Sequence, residues 1–542
     1  MALGYVCMRA TPLLHYQDSI HYANIAKHLA QGQGFVSGQV FFPEAIQPPL
    51  STLLVAAGIA LGLYPLTSLM VICLLCEGLV AAALVRIHVK IWGRQGAVFA
   101  AVLAATYANA ALGAELTMEP VLLATLAAGT LLLMNAFASL EEAGASRPIR
   151  TIGSIPSFAL AGGAFACGLM ARPEAIIPMA FALVVPWFFT NKKTHALISI
   201  GALAAGMLLV VIPYGFWVRT QIGVFDFLPK IRFNAPIPDI LAHMKWLPEQ
   251  STMLGRDQRV LYALMPDHQT MILNHTFLHP GFDPRPLFPR EPDASGSLVE
   301  TLRLVYRSAK VTLWMSIREI WLLHPIPLLL MTLGLGFGFR TKRRSWPLYF
   351  ASLVVLGLVP AAAAVHNIER RYLATSLFFA VPLLSGGAVA LVRYLIHRGW
   401  KSRMLAPGVA AVLAALFGLS TFSSAKELAG TPRITARMRD LERICVKHIP
   451  PGARVLADHS RCAFFADAVP IHLPYVESLD KLTAFLRNQR ITHAVFDTRT
   501  LAKNPSAIQR DLLPFPERWP ASWKIMATLY ADDEPIRIVQ IE

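Results

Sequence analysis

Of 542 residues, 55% are hydrophobic and only 15% are charged, with a mean hydropathy of +0.49. Soluble globular chains carry about 25% charged residues, so the composition excludes an ordinary soluble protein and points to lipid as the solvent. The net charge of +16 reads as membrane topology rather than a nucleic-acid footprint, because Lys and Arg collect on the cytoplasmic side of membrane proteins.

Residues 1–13 are too short to span a bilayer, and Arg9 interrupts them. A helix must still bring the chain out before Asp18, so part of a first helix is expected to precede this start. Residues 17–31 predict a short amphipathic helix, with Tyr22, Ile25 and Leu29 at i, i+3 and i+7. It is expected to lie on the outer interface and to hold Asp18 at the membrane surface. Residues 48–64 are apolar but stop at Leu63-Tyr64-Pro65, which predicts an interfacial or re-entrant helix.

Apolar runs follow at 66–85, 97–112, 120–138, 155–171, 175–190 and 196–218, and again at 322–339, 346–365, 373–392 and 404–422. A spanning helix needs about 20 apolar residues. Backbone groups in hydrocarbon must pair within their own segment, so each run predicts a helix. Between the two sets lies a polar segment, 219–318, rich in Pro and containing His275 and His279. It shows no periodicity, and a connection this long is functional or mobile. Residues 430–542 have soluble composition. Helices predicted at 433–448 and 478–489 alternate with strands at 454–457 and 493–497, which argues a small α/β domain.

Placing Asp18 outside and alternating the runs fixes the topology. The inner loops then hold Arg86, Lys90, Arg94, Arg147, Arg150, Lys192, Lys193, Arg340, Lys342, Arg343, Arg344, Arg393, Arg398, Lys401 and Arg403. The short outer loops hold only Lys27, Arg172, Arg370 and Arg371. This asymmetry puts the C-terminal domain outside the cytoplasm and the chain in an inner (plasma) membrane. The fold class is thus a polytopic α-helical membrane protein with a small C-terminal α/β extracytoplasmic domain. Its membrane part covers 1–425, with outer loops at 14–65 and 219–318, and its soluble part covers 430–542.

Several outer-loop patterns occur in order. They are Asp18-x-x-x-Tyr22, Ala26-Lys27-His28-Leu29, Gly32-x-Gly34-Phe35, Pro48-Pro49, Met118-Glu119-Pro120 and Arg172-Pro173-Glu174. Pro213, Arg219, Gly223 and Asn234 follow, then Glu369-Arg370-Arg371-Tyr372-Leu373. On these, roughly residues 10–400 resemble the GT-C superfamily, most closely the branch of protein O-mannosyltransferases and lipid A aminoarabinose transferases. The resemblance implies a GT-C-like fold and transfer of a sugar from a polyprenyl-phosphate donor to a glycan, lipid or protein acceptor on the outer side. The partners it implies are that donor, that acceptor and membrane lipid, with no nucleic acid. Those branches often carry Asp-Glu where this chain has Asp18-Ser19, which leaves the acceptor and a divalent metal open.

Such transfer needs a carboxylate to take the acceptor's proton and cations to hold the leaving phosphate. Asp18 is the candidate base; its plain alternative is an acid capping the helix that follows. Glu44 and Glu119 lie in the same plane and could bind sugar hydroxyls or share the base role; their alternative is that of surface-loop acids. Arg172 is a candidate phosphate ligand, against a local pair with Glu174. Arg219, Arg370 and Arg371 are candidates against snorkelling anchors, and Tyr372 joins them through the motif.

Neither His21 with His28 nor His275 with His279 forms a Cys/His zinc pattern. Cys73, Cys76 and Cys167 fall in apolar runs and read as reduced packing residues. Cys445 and Cys462 both fall in the outer domain and read either as a disulfide or as two independent thiols. A transporter or flippase would place charges near the bilayer midplane and often shows repeats. An assembly scaffold would not need acids and arginines converging at one membrane face.

Overall fold

The computed structural model describes residues 17–35, 48–106, 119–143, 148–190, 192–222, 225–228, 252–254, 260–264, 271–273, 325–340, 347, 350–357, 374–400, 402–429, 432–457, 461–471, 474–475, 478–501, 513–530 and 535–542. Helix α1 is Gln17–Ala30, α2 is Pro49–Ala60 and α3 is Pro65–Thr106. Helix α4 (Glu119–Ala143) and α5 (Pro148–Ala171) follow, then a 3₁₀ turn at Pro173–Ala175, α6 (Ile176–Phe189) and α7 (Lys193–Ile222). Past the polar segment come α8 (Pro325–Arg340), the helical residues 350–357, α9 (Ala374–His397) and α10 (Ser402–Ala429).

The apolar runs become these helices because nothing else satisfies a backbone in lipid. Among the described residues, Pro65–Ala105, Glu119–Leu140, Ser154–Ala171, Lys193–Thr220 and Thr375–His397 are long and apolar enough to cross a membrane. Pro173–Phe188, Pro325–Gly338 and Met404–Gly418 are shorter apolar helices. The runs at 66–85 and 97–112 form one element, α3, of 42 residues. A straight helix of that length would measure ~60 Å, twice the ~30 Å hydrocarbon core. The path breaks at Gly93, with φ 71° and ψ −160°, a conformation open to a residue without a Cβ.

Helices α4 and α5 run antiparallel, since Glu119 at the start of one meets Arg172 just past the end of the other. At the opposite end, Trp92 stacks on Phe337 at 5.2 Å and the Arg393 guanidinium lies 5.1 Å over the same ring. That end carries Arg94, Arg340, Arg393 and Arg398; the other carries Glu119, Arg172, α1 and α2. Small residues let the helices touch backbone to backbone. A Cβ at Gly162 would run into the Leu203 carbonyl, and one at Gly387 into that of Leu330. Phe350 packs edge-on to Phe165 and Phe379, which ties 350–357 to α5 and α9. Leu79, Leu209 and Leu356 point outward, as a lipid-facing surface allows.

Three short strands lie in the polar segment: β1 (Thr252–Leu254), β2 (Val260–Leu264) and β3 (Met271–Leu273). They form an antiparallel meander. Runs of three to five residues are too short for a period of two to show in the sequence. The C-terminal part contains α11 (Pro432–His448), β4 (Arg454–Ala457), α12 (Arg461–Phe465), β5 (Val469–Ile471), β6 (Pro474–Tyr475), α13 (Leu479–Asn488), β7 (His493–Asp497), α14 (Thr498–Leu501), β8 (Trp523–Leu529) and β9 (Ile536–Ile541). Its sheet has the order β5-β4-β7-β9-β8, parallel from β5 to β7 and antiparallel beyond.

Alternation along the strands builds two cores. Leu456, Ala494 and Phe496 face Leu482 and Phe485 of α13, whereas Val455, Ala457 and Val495 face Leu441 and Cys445 of α11. Cys445 and Cys462 form a disulfide with Cα atoms 5.5 Å apart, inside the range such a bond requires. Closing a loop of this size stabilises by about 3 kcal/mol in the chain-entropy model.

The C-terminal part reaches back onto α1 and the polar segment. Strand β6 pairs with β3 through Met271 opposite Tyr475 and Ile272 opposite Pro474. Phe464 and Phe465 of α12 pack with Ile20 and Ala23 of α1 and with Leu66, and Lys27 pairs with Asp467. Helix α1 is therefore not a helix lying on an interface with one face open, as its periodicity suggests. Ser19, Ile20, Tyr22, Ala23, Asn24, Ile25 and Ala26 are all buried.

The charge asymmetry makes an expected result for topology. Reporter fusions at 90, 342 and 400 read cytoplasmic, and those at 30, 280 and 500 read extracytoplasmic. A cytoplasmic signal at 500 would reverse the orientation and put α1 on the wrong side for a donor presented outside.

Candidate active site

Helix α1 is seated from three directions. Ala26 packs with Val55 and Ala56 of α2 and with Leu69 and Cys73 of α3. Ile20 and Ala23 meet α12. Tyr22 and Ile25 meet Phe35, whose ring stands edge-on, 5.2 Å from Trp217 near the end of α7. Asp18 is the second residue of this helix. A carboxylate in a first turn faces the positive end of the helix dipole. By helical spacing Asp18 falls on the stripe of Tyr22 and Ile25; its side chain lies outside the described residues.

The turn between α2 and α3 belongs to the same end. Burial raises the Tyr64 phenol above its ordinary value, and the Glu442 and Asp467 carboxylates push it the same way. The C-terminal part thus lies close enough to act on the turn beside α1.

Glu119, Arg172 and Glu174 form a buried cluster at this end. Arg172 ends α5 through a backbone N–H to Gly168 O at 2.8 Å and has extended backbone before the 3₁₀ turn. Its Nη2 donates to Glu174 Oε1 at 2.7 Å and its Nε to Glu174 Oε2 at 3.2 Å, a two-pronged pair. Its Nη1 donates to Glu119 Oε1. Glu119 is 1% exposed and Arg172 is 7% exposed.

This arrangement bears on both sequence readings. A carboxylate as buried as Glu119, and tied to an arginine, is not presented to an acceptor in this conformation. Arg172 already holds two carboxylates, so the local pair with Glu174 is present and extends to Glu119. The chemistry the cluster performs by itself is to fix the junctions of α4, α5 and α6. Cys73 links it to α1, packing with Ala26 and lying within electrostatic reach of Glu119.

Arg219 stands in the last turn of α7 and is exposed. Glu44, Arg370, Arg371 and Tyr372 lie outside the described residues. The structure gives Lys27, noted in the sequence, a partner that ties α1 to Asp467, and it adds one residue the sequence did not single out. Asp226, 3% exposed, accepts from Leu228 N at 2.8 Å just beyond α7. An Asp two residues before its backbone donor is the local signal for such a turn. Among the described residues, no three His, Cys, Asp or Glu side chains come together as a metal site. His275 and His279 lie outside them.

No family model matches the sequence, and no curated protein does. Solved structures match it along nearly its whole length. ArnT from Cupriavidus metallidurans, bound to undecaprenyl phosphate, aligns at 13% identity with a TM-score of 0.59, covering 99% of this chain and 96% of that one. The Archaeoglobus fulgidus oligosaccharyltransferase tethered to an acceptor peptide aligns at 11% identity with a TM-score of 0.53, covering 94% and 71%. The same enzyme in complex with Zn and sulfate gives 11% and 0.54, covering 93% and 69%. The chain shares the fold of these enzymes, and the match with ArnT extends over almost every residue.

Proposed function

We propose that this chain is a membrane glycosyltransferase that moves a sugar from a polyprenyl-phosphate donor to an acceptor outside the cytoplasm. The observation that carries the reading is the seating of α1 in a GT-C fold. A short polar-ended helix with an acid in its first turn is buried against two membrane elements and the C-terminal part at once. Immobilising a carboxylate in this way suits a group that must meet a reacting hydroxyl in one geometry.

In the proposed step Asp18 takes the proton of the acceptor hydroxyl. The acceptor oxygen bonds to the anomeric carbon as the bond from that carbon to the phosphate oxygen breaks. Polyprenyl phosphate leaves with the electron pair, so no general acid is required. The charge it carries calls for cations, and Arg219, Arg370 and Arg371 are proposed to hold it, with Tyr372 donating a hydrogen bond. The Glu119–Arg172–Glu174 cluster is proposed to frame the site, since Arg172 already holds two carboxylates. Glu44 is proposed to bind sugar hydroxyls. No step is routed through a divalent metal, for which the described residues offer no ligand set. The C-terminal part is proposed to lie outside the cytoplasm above α1.

The test is a lipid extract of the host with and without the protein. The expected result is accumulation of one polyprenyl-phosphate sugar in the deletion, consumed when purified protein is added. A deletion extract with no change in any lipid-linked sugar would remove the proposed donor class.

A further inference from the structure

A groove of about 670 Å³ runs along the bundle where α8, α9 and α10 meet. Leu330 lines it from α8 and Leu391 from α9, with Met404, Val409 and Leu413 from α10. Trp400, just past the end of α9, lines it too. From Met404 to Leu413 the helix rises ~14 Å, close to half of the ~30 Å hydrocarbon core. The groove therefore has about the depth of one leaflet.

Its two ends differ. Arg393 over Phe337 puts the end of α8 beside the end of α9, so Leu391 and Trp400 mark the basic end of the bundle. Tyr394 and Arg398 follow Leu391 at i+3 and i+7, on the same helix stripe. Arg398 Nε donates to Tyr394 Oη at 3.1 Å, and its guanidinium lies 5.4 Å over that ring. The pair leaves an exposed, oriented cation at the groove mouth. Trp400 is 61% exposed beside it, as an interfacial aromatic anchor would be.

We propose that this groove binds an acyl chain of an anionic glycerophospholipid, with the headgroup on Arg398. The apolar walls match a hydrocarbon chain of one leaflet. The cation, tyrosine and tryptophan match a phosphate with net negative charge. The leaflet is the one at the basic end, opposite Glu119, Arg172 and α1, so the occupant is not the proposed donor, whose phosphate belongs at α1. The inference is independent of the transfer reaction. The lipid would brace α10, the helix that leads into α11 and the C-terminal part.

The experiment uses the purified full chain in detergent with equal amounts of phosphatidylglycerol and phosphatidylcholine, and native mass spectrometry to count retained lipid. Phosphatidylglycerol is retained preferentially, by roughly fivefold for each cation engaged, and Arg398→Ala reduces that preference. Gly408→Trp plugs the groove, because a Cβ at Gly408 meets nothing within 4 Å, and one retained lipid is lost at unchanged thermal stability. Val412→Trp, at a lining position that is 58% exposed, gives the same loss by a second route. Equal retention of the two lipids by the unaltered chain refutes the headgroup assignment. Unchanged lipid counts in both tryptophan variants refute the site. A polyprenyl phosphate displaced by either variant would make the groove a channel for a donor tail and overturn the proposal.

Discussion

Asp18→Asn lowers sugar transfer by ~10²-fold or more while the chain stays folded. The substitution keeps the shape of the side chain and removes its capacity to take a proton. General-base catalysis contributes about 10²–10⁴-fold, and the upper part of that range applies if no other acid reaches the acceptor. Glu119 is poorly placed to compensate, being 1% exposed and tied to Arg172. The contacts that seat α1 come from Ile20, Tyr22, Ala23, Ile25, Ala26 and Lys27, and the substitution alters none of these side chains. A loss of rate at unchanged thermal stability is therefore a loss of chemistry. The assay follows consumption of the donor that accumulates in the deletion strain. Near-normal turnover by the Asn variant would remove Asp18 from the mechanism and promote Glu44.

The membrane part was legible because hydrocarbon leaves a backbone few choices. The apolar runs read from the sequence coincide with α3 through α10 wherever those residues are described, and even the break in α3 falls in the gap between two runs. The helix at 17–31 appears as Gln17–Ala30, but its surroundings were not legible. Tyr22, Ile25 and Leu29 mark one apolar stripe, whereas Ala23 and Asn24, buried off that stripe, carry little hydropathy signal. What covers them comes in part from Phe464 and Phe465, far along the chain, and no local period encodes a partner at that separation.

The same distinction applies to the charged cluster. Arg172 with Glu174, two residues apart, could be seen as a pair from spacing alone. Arg172 with Glu119, separated by 53 residues, could not, and it changes what both residues do. The disulfide stayed open in sequence because nothing local to Cys462 says which element packs beside it. It sits on α12, which packs beside α11 and brings the two Cα atoms to 5.5 Å.

Arg172→Ala costs about 3–5 kcal/mol of stability, the penalty for removing one partner of a buried ion pair. Glu119 would be left as a charge with almost no access to water, beside the second carboxylate of Glu174, whose side chain is only 19% exposed. The loss is large against the ~5–15 kcal/mol that holds a typical domain folded. Arg172→Lys keeps the charge but loses the fork that binds Glu174 at 2.7 and 3.2 Å, so it gives an intermediate loss. The decisive variant combines Arg172→Met with Glu119→Gln and Glu174→Gln. Removing the three charges together takes away the buried ion pairs as a unit, and such replacements are often neutral, so most of the stability returns. Thermal unfolding in detergent reads all three variants, and donor binding is measured on each. A structural cluster predicts that stability falls in the order wild type, Lys, Ala and recovers in the triple variant. Unchanged stability in Arg172→Ala together with weakened donor binding would instead make Arg172 a phosphate ligand, and the cluster's role as a frame would be lost.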